Sequence, residues 1–216
     1  MARYSAIIFD FDGVILESVD IKAKAFADIY KDEEPAKVDA VVRYQLLHGG
    51  VSRRDKFNYF EAELFARTAD SAVIDGLCRR YSEIVLDQVM ACPFVPGALE
   101  FLEEAHHKLP LHVVSGTPQS ELELIVGNRG LRRYFHDIVG APTRKLQAFA
   151  AIAREGGHAP GDVLAVGDSI TEYMAALELG MPFLGIVAEP EPNPFPASVP
   201  IQNDLVRLSA LIEEGR

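Results

Sequence analysis

The second half of the chain alternates short, continuously apolar runs with longer stretches of helical apolar spacing. Four of these runs are typical of buried strands: LHVVS (111–115), DIVGA (137–141), VLAVGD (163–168) and PFLGIV (182–187). The stretches between them predict helices over residues 118–130, 145–157 and 169–180. Strands that are apolar on both faces and separated by helices indicate a parallel sheet covered by helices on both sides. We therefore predict an α/β fold in which YSAIIF (4–9) is a central strand.

The region between the first strand and the others has a different pattern. Helical spacing without a clear strand occurs in four stretches, at 21–32, 38–49, 54–68 and 70–90. The chain leaves the sheet just after Asp12 and returns near residues 91–105, so one helical insertion is more economical than two sequential domains. We predict a core built from residues 1–14 and 92–216 and an inserted helical unit at 15–91. The proline-rich segment 188–200 is expected to be irregular.

Composition excludes several classes of function. The chain has 216 residues, of which 49% are hydrophobic, enough to bury a proper core. A formal charge of −11 argues against nucleic-acid and anionic-membrane partners, which need clustered Lys and Arg. The negative net charge does not exclude an anionic substrate, because one metal ion and one lysine can make the local charge at a binding site positive. The isolated Cys78 and Cys92, and the lack of a signal-peptide or membrane-spanning run, predict a cytoplasmic protein with reduced thiols.

Polar residues follow the predicted strands where ligands of doubly wound sheets gather, at the carboxyl ends. Taken in chain order, they are Asp10 and Asp12, then Ser115, Gly116 and Thr117, then Lys145, and finally Asp168 and Glu172. Each of them alone has an ordinary explanation as a turn, a helix cap or a surface lysine. Their joint occurrence at successive strand ends is a much more specific signal.

The residue types suggest one coherent chemistry. Carboxylates, water and a phosphate oxygen suit Mg²⁺, which prefers hard oxygen ligands. The N–H groups after Ser115 are placed to bind phosphate oxygens, and Lys145 supplies a fixed positive charge. One carboxylate can attack phosphorus to form an aspartyl-phosphate. A second carboxylate two residues away points in the same direction, so it can protonate the leaving group and later activate water.

These motifs resemble those of a known family. FDFDGV, VVSGTP, Lys145 and VGDSITE are similar to the four ordered motifs of the haloacid dehalogenase superfamily, in its helical-cap subgroup of phosphoglycolate phosphatase-like and β-phosphoglucomutase-like proteins. The resemblance extends from Ile7 to about Ile186. It implies a Rossmann-like core and a mobile cap inserted after the first motif, which here corresponds to residues 15–91.

The resemblance also implies a role for each matching residue. Asp10 would be the nucleophile and a Mg²⁺ ligand, and Asp12 the general acid/base, with its backbone carbonyl on the metal. Ser115 and the Gly116 amide would bind phosphate, while Lys145 would hold phosphate and orient Asp10.

Two positions depart from the family pattern. Asp168 would complete the metal site, but Glu172 stands where the family commonly has aspartate, so its longer side chain is expected in the water shell around the metal. Lys145 is followed by Leu146 rather than the common proline, which makes Arg144 a weaker rival for the cationic role.

Further residues distinguish between reactions within the family. Asp12 disfavours dehalogenation, since dehalogenases replace this residue. Phosphonate cleavage would need a lysine early in the cap that forms a Schiff base, whereas Lys22 and Lys24 have the pattern of a solvated helix face. Gly167 stands where sugar phosphomutases tend to carry an extra acid.

The stretch HGGVSRRDKF (48–57) is similar to the GVSR segment of β-phosphoglucomutase-like proteins. By that resemblance, Ser52 and Arg53 would contact the distal part of the substrate. Ser52 is also well placed to cap a helix, with Asp55 three residues later. The two roles are compatible with each other.

The sequence thus predicts a Mg²⁺-dependent phosphatase that acts on a small phosphomonoester, either a sugar phosphate or a phosphoglycolate-like acid. The alternatives are a β-phosphoglucomutase-like sugar phosphomutase and a non-catalytic binding module on the same fold. A lost nucleophile or acid/base would favour the binding module, yet Asp10 and Asp12 are both present.

Overall fold

The predicted parallel sheet is present in the computed structural model, which describes residues 4–214. The strands in this range are β1 Ala6–Phe9, β2 Leu111–Pro118, β3 Asp137–Ala141, β4 Val163–Gly167, β5 Phe183–Ile186 and β6 Ile201–Gln202. They are all parallel, in the order β3-β2-β1-β4-β5-β6. β1 is therefore a central strand, and each of its four residues is buried.

Helices cover the two faces of the sheet. In chain order the α-helices of residues 4–214 are α1 Val19–Ile29, α2 Pro35–Leu47, α3 Arg53–Tyr59, α4 Ser71–Ala91, α5 Ala98–Ala105, α6 Gln119–Asn128, α7 Lys145–Glu155, α8 Ile170–Leu179 and α9 Leu208–Glu214. Alternate residues of β1 point to opposite sides, so Ile7 and Phe9 belong to one apolar cluster and Ala6 and Ile8 to the other. Burial on both faces explains why the strands are continuously apolar.

The helices α1–α4 lie between β1 and α5 in the chain and pack around an aromatic cluster. The ring of Phe26 lies 5.1 Å from that of Phe57, 5.4 Å from that of Phe60 and 4.4 Å from that of Tyr81, measured between centroids. The helix predicted over 54–68 is instead two elements, since a π-helical turn, Phe60–Leu64, follows α3. The division of the chain at 14/15 and 91/92 stays a prediction.

The other differences from the sequence prediction lie near strand ends and late in the chain. β2 continues beyond residue 115 to Pro118, and β6 and α9 have no counterpart among the predicted elements. The segment 188–200 forms no helix or strand, as expected from its prolines, and Phe195 anchors it by packing 5.3 Å from the ring of Phe183. Within the described range, no helix has both the length and the apolarity required to cross a membrane.

Candidate active site

The predicted site residues meet at the carboxyl edge of the sheet because β1 lies between β2 and β4. Asp10 follows β1, and its backbone N–H donates to the Val166 carbonyl at 2.9 Å. A cavity at this edge is lined by residues of two groups: those of the helices α1–α4, called the inserted helices below because they lie between β1 and α5 in the chain, and those of the sheet and its other connections, called the core. Its lining includes Asp10, Asp12, Gly116, Thr117 and Asp168 from the core, and Lys22, Gln45, Arg53, Lys56 and Tyr81 from α1–α4.

Lys145 holds the predicted nucleophile in place. Its Nζ donates to Asp10 Oδ1 and to the Val114 carbonyl, both at 2.5 Å, and lies 3.0 Å from Glu172 Oε1. Burial raises the pKa of Asp10 to about 7, since the opposing effect of Lys145 is smaller and the nearby acids add to the rise. Burial lowers the pKa of Lys145, but Asp10 and Glu172 outweigh it, so the ammonium stays charged. The predicted rival Arg144 is exposed at the start of α7 and is not the residue that contacts Asp10.

Asp12 has the opposite electrostatic environment. Ser18 Oγ donates to its Oδ1 at 2.6 Å, and Ser115 Oγ and Thr117 Oγ1 donate to its Oδ2, both at 3.2 Å. Lys22 Nζ lies 2.5 Å from Oδ2. Burial acts to raise the pKa of Asp12, but Lys22 and these hydrogen bonds together lower it to about 2. Asp12 is therefore firmly ionised in this arrangement.

Asp168 and Glu172 provide buried oxygen atoms that suit a metal ion. Asp168 Oδ1 is buried and accepts no hydrogen bond from residues 4–214, while the buried Glu172 Oε1 lies 3.0 Å from Lys145 Nζ. One carboxylate oxygen from each of Asp10, Asp168 and Glu172 lies within 4.8 Å of the others. Burial, together with the charges of Asp10 and Glu172, holds the pKa of Asp168 well above its ordinary value. A hard cation such as Mg²⁺ fits the unpartnered Asp168 Oδ1 and the carboxylates around it, and it would relieve their mutual repulsion.

Two glycines leave the space that the side chains of Asp168 and Glu172 occupy. Gly13 has φ of +75°, and a Cβ atom there would lie 2.3 Å from Asp168 Oδ2. A Cβ atom on Gly167 would lie 2.7 Å from Cβ and 2.8 Å from Cγ of Glu172. The side chain of Glu172 thus occupies the space beside the backbone at position 167, which leaves no room there for the extra acid expected of a mutase.

Comparison with known proteins decides the family. The family model described as haloacid dehalogenase-like hydrolase matches residues 7–186. The chain belongs to this family. It is therefore a haloacid dehalogenase-like hydrolase, and the resemblance predicted from the four motifs is confirmed. No curated protein sequence matched the chain.

Solved structures share the fold of this haloacid dehalogenase-like hydrolase. One named a predicted phosphoglycolate phosphatase, from Haemophilus somnus, has a TM-score of 0.75 at 19% identity, covering 98% of this chain and 99% of that chain. A mutant of CbbY from Rhodobacter sphaeroides, in complex with a xylulose bisphosphate, has a TM-score of 0.75 at 18% identity, over 95% and 96% of the two chains. Magnesium-bound YfnB from Bacillus subtilis has a TM-score of 0.73 at 16% identity, over 98% and 99%.

Arg53 and Ser52 lie at the start of α3, where the inserted helices of the hydrolase approach its core. Both terminal nitrogens of Arg53 donate to the Glu121 carboxylate, at 2.8 and 2.6 Å, and its guanidinium lies 4.6 Å from the ring centroid of Tyr81. Ser52 Oγ accepts from the Asp55 backbone N–H at 3.2 Å, which confirms the predicted helix cap. Substrate contacts of Ser52 and Arg53 stay predictions.

Sequence reasoning gave no role to three residues of the site, although it placed Thr117 among the polar residues at the strand ends. Thr117 donates to Asp12, and Lys22 donates to Thr117 Oγ1 at 2.8 Å as well as pairing with Asp12. The expectation that Lys22 and Lys24 both lie on a solvated helix face is wrong for Lys22, whose side chain is only 11% exposed, and correct for the exposed Lys24. Lys56 is also buried against the cavity. The nearest sequence signal for Lys56 was its place within the segment HGGVSRRDKF (48–57).

The buried carboxylates predict that Mg²⁺ binding depends on pH. Asp10 has a pKa of about 7 and that of Asp168 is raised, so protons compete with the metal at lower pH. We expect Mg²⁺ affinity to fall roughly tenfold per pH unit below about pH 7 for each proton displaced. Isothermal titration calorimetry across this range measures the change. Asp168→Asn should weaken binding strongly, whereas Asp28→Asn on the exposed side of α1 should not. Mg²⁺ affinity independent of pH would contradict the prediction.

Proposed function

We propose that this hydrolase is a Mg²⁺-dependent phosphatase that cleaves a small phosphomonoester through an aspartyl-phosphate at Asp10. The observation that carries the proposal is the contrast between Asp10 and Asp12 in one cavity. Asp10 is fixed by a buried lysine, while Asp12, two residues on, is surrounded by hydroxyl donors and a second lysine. Pairs of carboxylates whose environments differ in this way divide nucleophilic and proton-transfer roles between them.

Asp10 is oriented for attack by the contact with Lys145. Oδ1 is engaged by the Lys145 ammonium, and no hydrogen bond within residues 4–214 engages Oδ2. In the proposed step, Oδ2 forms a bond to phosphorus while the bond from phosphorus to the ester oxygen breaks. Lys145, Ser115 Oγ and the Gly116 N–H would hold the phosphate oxygens during the transfer.

Asp12 would move the proton in both half-reactions. It would donate a proton to the departing ester oxygen, then remove one from the water that attacks the aspartyl-phosphate and frees Asp10. The contact with Lys22 favours the ionised form of Asp12, which suits the second half-reaction. For the first half-reaction, the bound ester has to draw Lys22 away from Asp12.

The metal-site residues fit Mg²⁺, because Asp168 Oδ1 is buried without a partner among the described residues and lies in a cluster of three carboxylates. Asp10, Asp168 and the backbone carbonyl of Asp12 would hold the ion, with Glu172 beside it in contact with Lys145. When bound, Mg²⁺ would neutralise the carboxylates and the phosphate. The bound magnesium of YfnB and the xylulose bisphosphate of CbbY are consistent with this proposal, and both belong to proteins of the same fold.

A panel of phosphomonoesters tests the proposed function. We expect Mg²⁺-dependent release of inorganic phosphate from at least one sugar phosphate or short acid phosphate, and loss of that activity with a chelator. Absence of turnover on every ester, with fold and Mg²⁺ binding intact, would instead favour a binding module. Interconversion of a sugar phosphate that requires a bisphosphate primer would favour a mutase.

A further inference from the structure

The inserted helices bring three cationic side chains to the cavity: Lys22, Arg53 and Lys56. Two of them have a carboxylate partner, because Lys22 pairs with Asp12 at 2.5 Å and Arg53 pairs with Glu121 at 2.6 Å. Lys56 forms no ion pair with any residue that the structure describes. Of these three cations, Lys56 is thus the one without a carboxylate in contact among the described residues.

Lys56 is held on the cavity wall by neutral groups. It is 3% exposed, and its Nζ donates to Gln45 Oε1 at 2.6 Å and to the Gly49 carbonyl at 3.1 Å. The ring of Phe26 lies on another side, 5.9 Å from Nζ to its centroid. An ammonium has three N–H donors, so one remains available after these two hydrogen bonds.

The charge of Lys56 is costly in this setting. Burial, followed by the charge of Lys22, lowers the pKa of Lys56 to about 7, although the charges of Asp12, Asp168 and Glu172 act in the opposite direction. A buried ammonium that no carboxylate contacts is unfavourable unless a ligand supplies the missing ion pair. An anion in the cavity would restore the charged form of Lys56 and accept its third N–H.

We propose that Lys56 binds a second anionic group of the substrate, a carboxylate or a further phosphate, beside the phosphate ester that is cleaved. The inference rests on the proposed phosphatase function and narrows its substrate to a small phosphomonoester with two separate anionic groups. Both lysines of this wall would then have a partner in the complex, Lys22 at the ester and Lys56 at the second anion.

Arg53 is the less suitable residue for this role. Its guanidinium donates to both oxygens of Glu121 and to Ser82 Oγ. The contact with Glu121 joins the inserted helices to α6 of the core. Binding a substrate anion would require breaking a two-point ion pair. Lys56 offers its charge without such a loss.

Matched pairs of esters test the charge of the second group. The first pair is phosphoglycolate and the phosphate ester of ethylene glycol, in which a hydroxymethyl group replaces the carboxylate. The second pair is propanediol bisphosphate and propanediol monophosphate. The first pair reports on a carboxylate and the second on a phosphate. In each pair, the ratio of kcat/KM for the more anionic member to that for the other is the quantity compared.

We expect the ratio to favour the more anionic member of at least one pair by about ten- to a hundredfold, the contribution of a charge-assisted hydrogen bond. Lys56→Met should lower this ratio about tenfold or more, and Lys56→Arg should restore part of it. Lys24→Met removes the same charge from an exposed position of the inserted helices and should keep the ratio. A merely structural Lys56 would affect both members of a pair alike.

Equilibrium binding separates this inference from the proposed function. With Asp10→Asn, calorimetry should show tighter binding of the more anionic ester, and Lys56→Met in that background should abolish the difference. This outcome would support the subsite even if the wild-type protein turned over none of the esters. A wild-type protein that binds and cleaves both members of each pair equally well would overturn the inference, as would an unchanged ratio in Lys56→Met.

Discussion

Replacing Asp10 with asparagine is expected to reduce kcat for phosphomonoester hydrolysis by about 10⁴-fold or more. The amide oxygen is a poor nucleophile, and the neutral side chain cannot carry the phosphoryl group as an acyl phosphate. Asparagine has almost the same shape as aspartate, so it still fits beneath Lys145. The loss should therefore appear in the chemical step and not in the fold.

The measurement is phosphate release under saturating Mg²⁺ and substrate, alongside the melting temperature of each protein. Asp28→Asn makes the same chemical change on an exposed face of α1 and should retain wild-type activity. Acid quenching of the wild-type reaction with labelled substrate should trap phosphate on the protein, and Asp10→Asn should trap none. Activity within tenfold of wild type in Asp10→Asn would rule out Asp10 as the nucleophile.

The core of the fold could be predicted from sequence because its strands are buried on both faces. Such strands are short, apolar throughout and bounded by helices, and β1 and β3–β5 lie within a residue or two of their predicted positions. β6 lacks this signal, since it has two residues and Ile201 is 37% exposed. The continuation of β2 beyond Ser115 to Pro118 was hidden by residues that are typical of turns.

The core half of the candidate site could be predicted for a topological reason. Asp10, Asp12 and Asp168 follow parallel strands, Ser115 lies in the carboxyl half of β2, and neighbouring parallel strands end at the same edge. The positions of these residues along the chain were enough to bring them together, whatever their exact side-chain contacts.

The inserted half of the site could not be predicted in this way. A lysine on an amphipathic helix has the same local sequence pattern whether it faces solvent or a cavity. Lys22 and Lys24 lie two residues apart on α1, yet the first contacts Asp12 and the second is exposed. Which of them is buried depends on how the helix packs on its neighbours and on the core. That packing is set by tertiary contacts and not by helical periodicity.

Replacing Asp12 with asparagine is expected to have the second largest effect, and its size should depend on the leaving group. General acid catalysis contributes about 10²–10⁴-fold when the departing oxygen is an alkoxide, as in a sugar phosphate. Nitrophenolate leaves without a proton, so kcat/KM for nitrophenyl phosphate should fall by only about tenfold. kcat should fall for both esters, because hydrolysis of the aspartyl-phosphate needs Asp12 to activate water.

Steady-state kinetics with the two esters, for wild type and Asp12→Asn, measures this difference. The comparison uses kcat/KM because it reports on steps up to the first irreversible one, here transfer of the phosphoryl group to Asp10. Asp12→Asn also removes the partner of Lys22, so the melting temperature has to be followed in parallel. Equal losses of kcat/KM for the alkyl and the nitrophenyl ester would show that Asp12 positions Lys22 or the phosphate instead of donating a proton. A larger loss for the alkyl ester would assign the proton to Asp12, since positioning alone does not depend on how readily the leaving group departs.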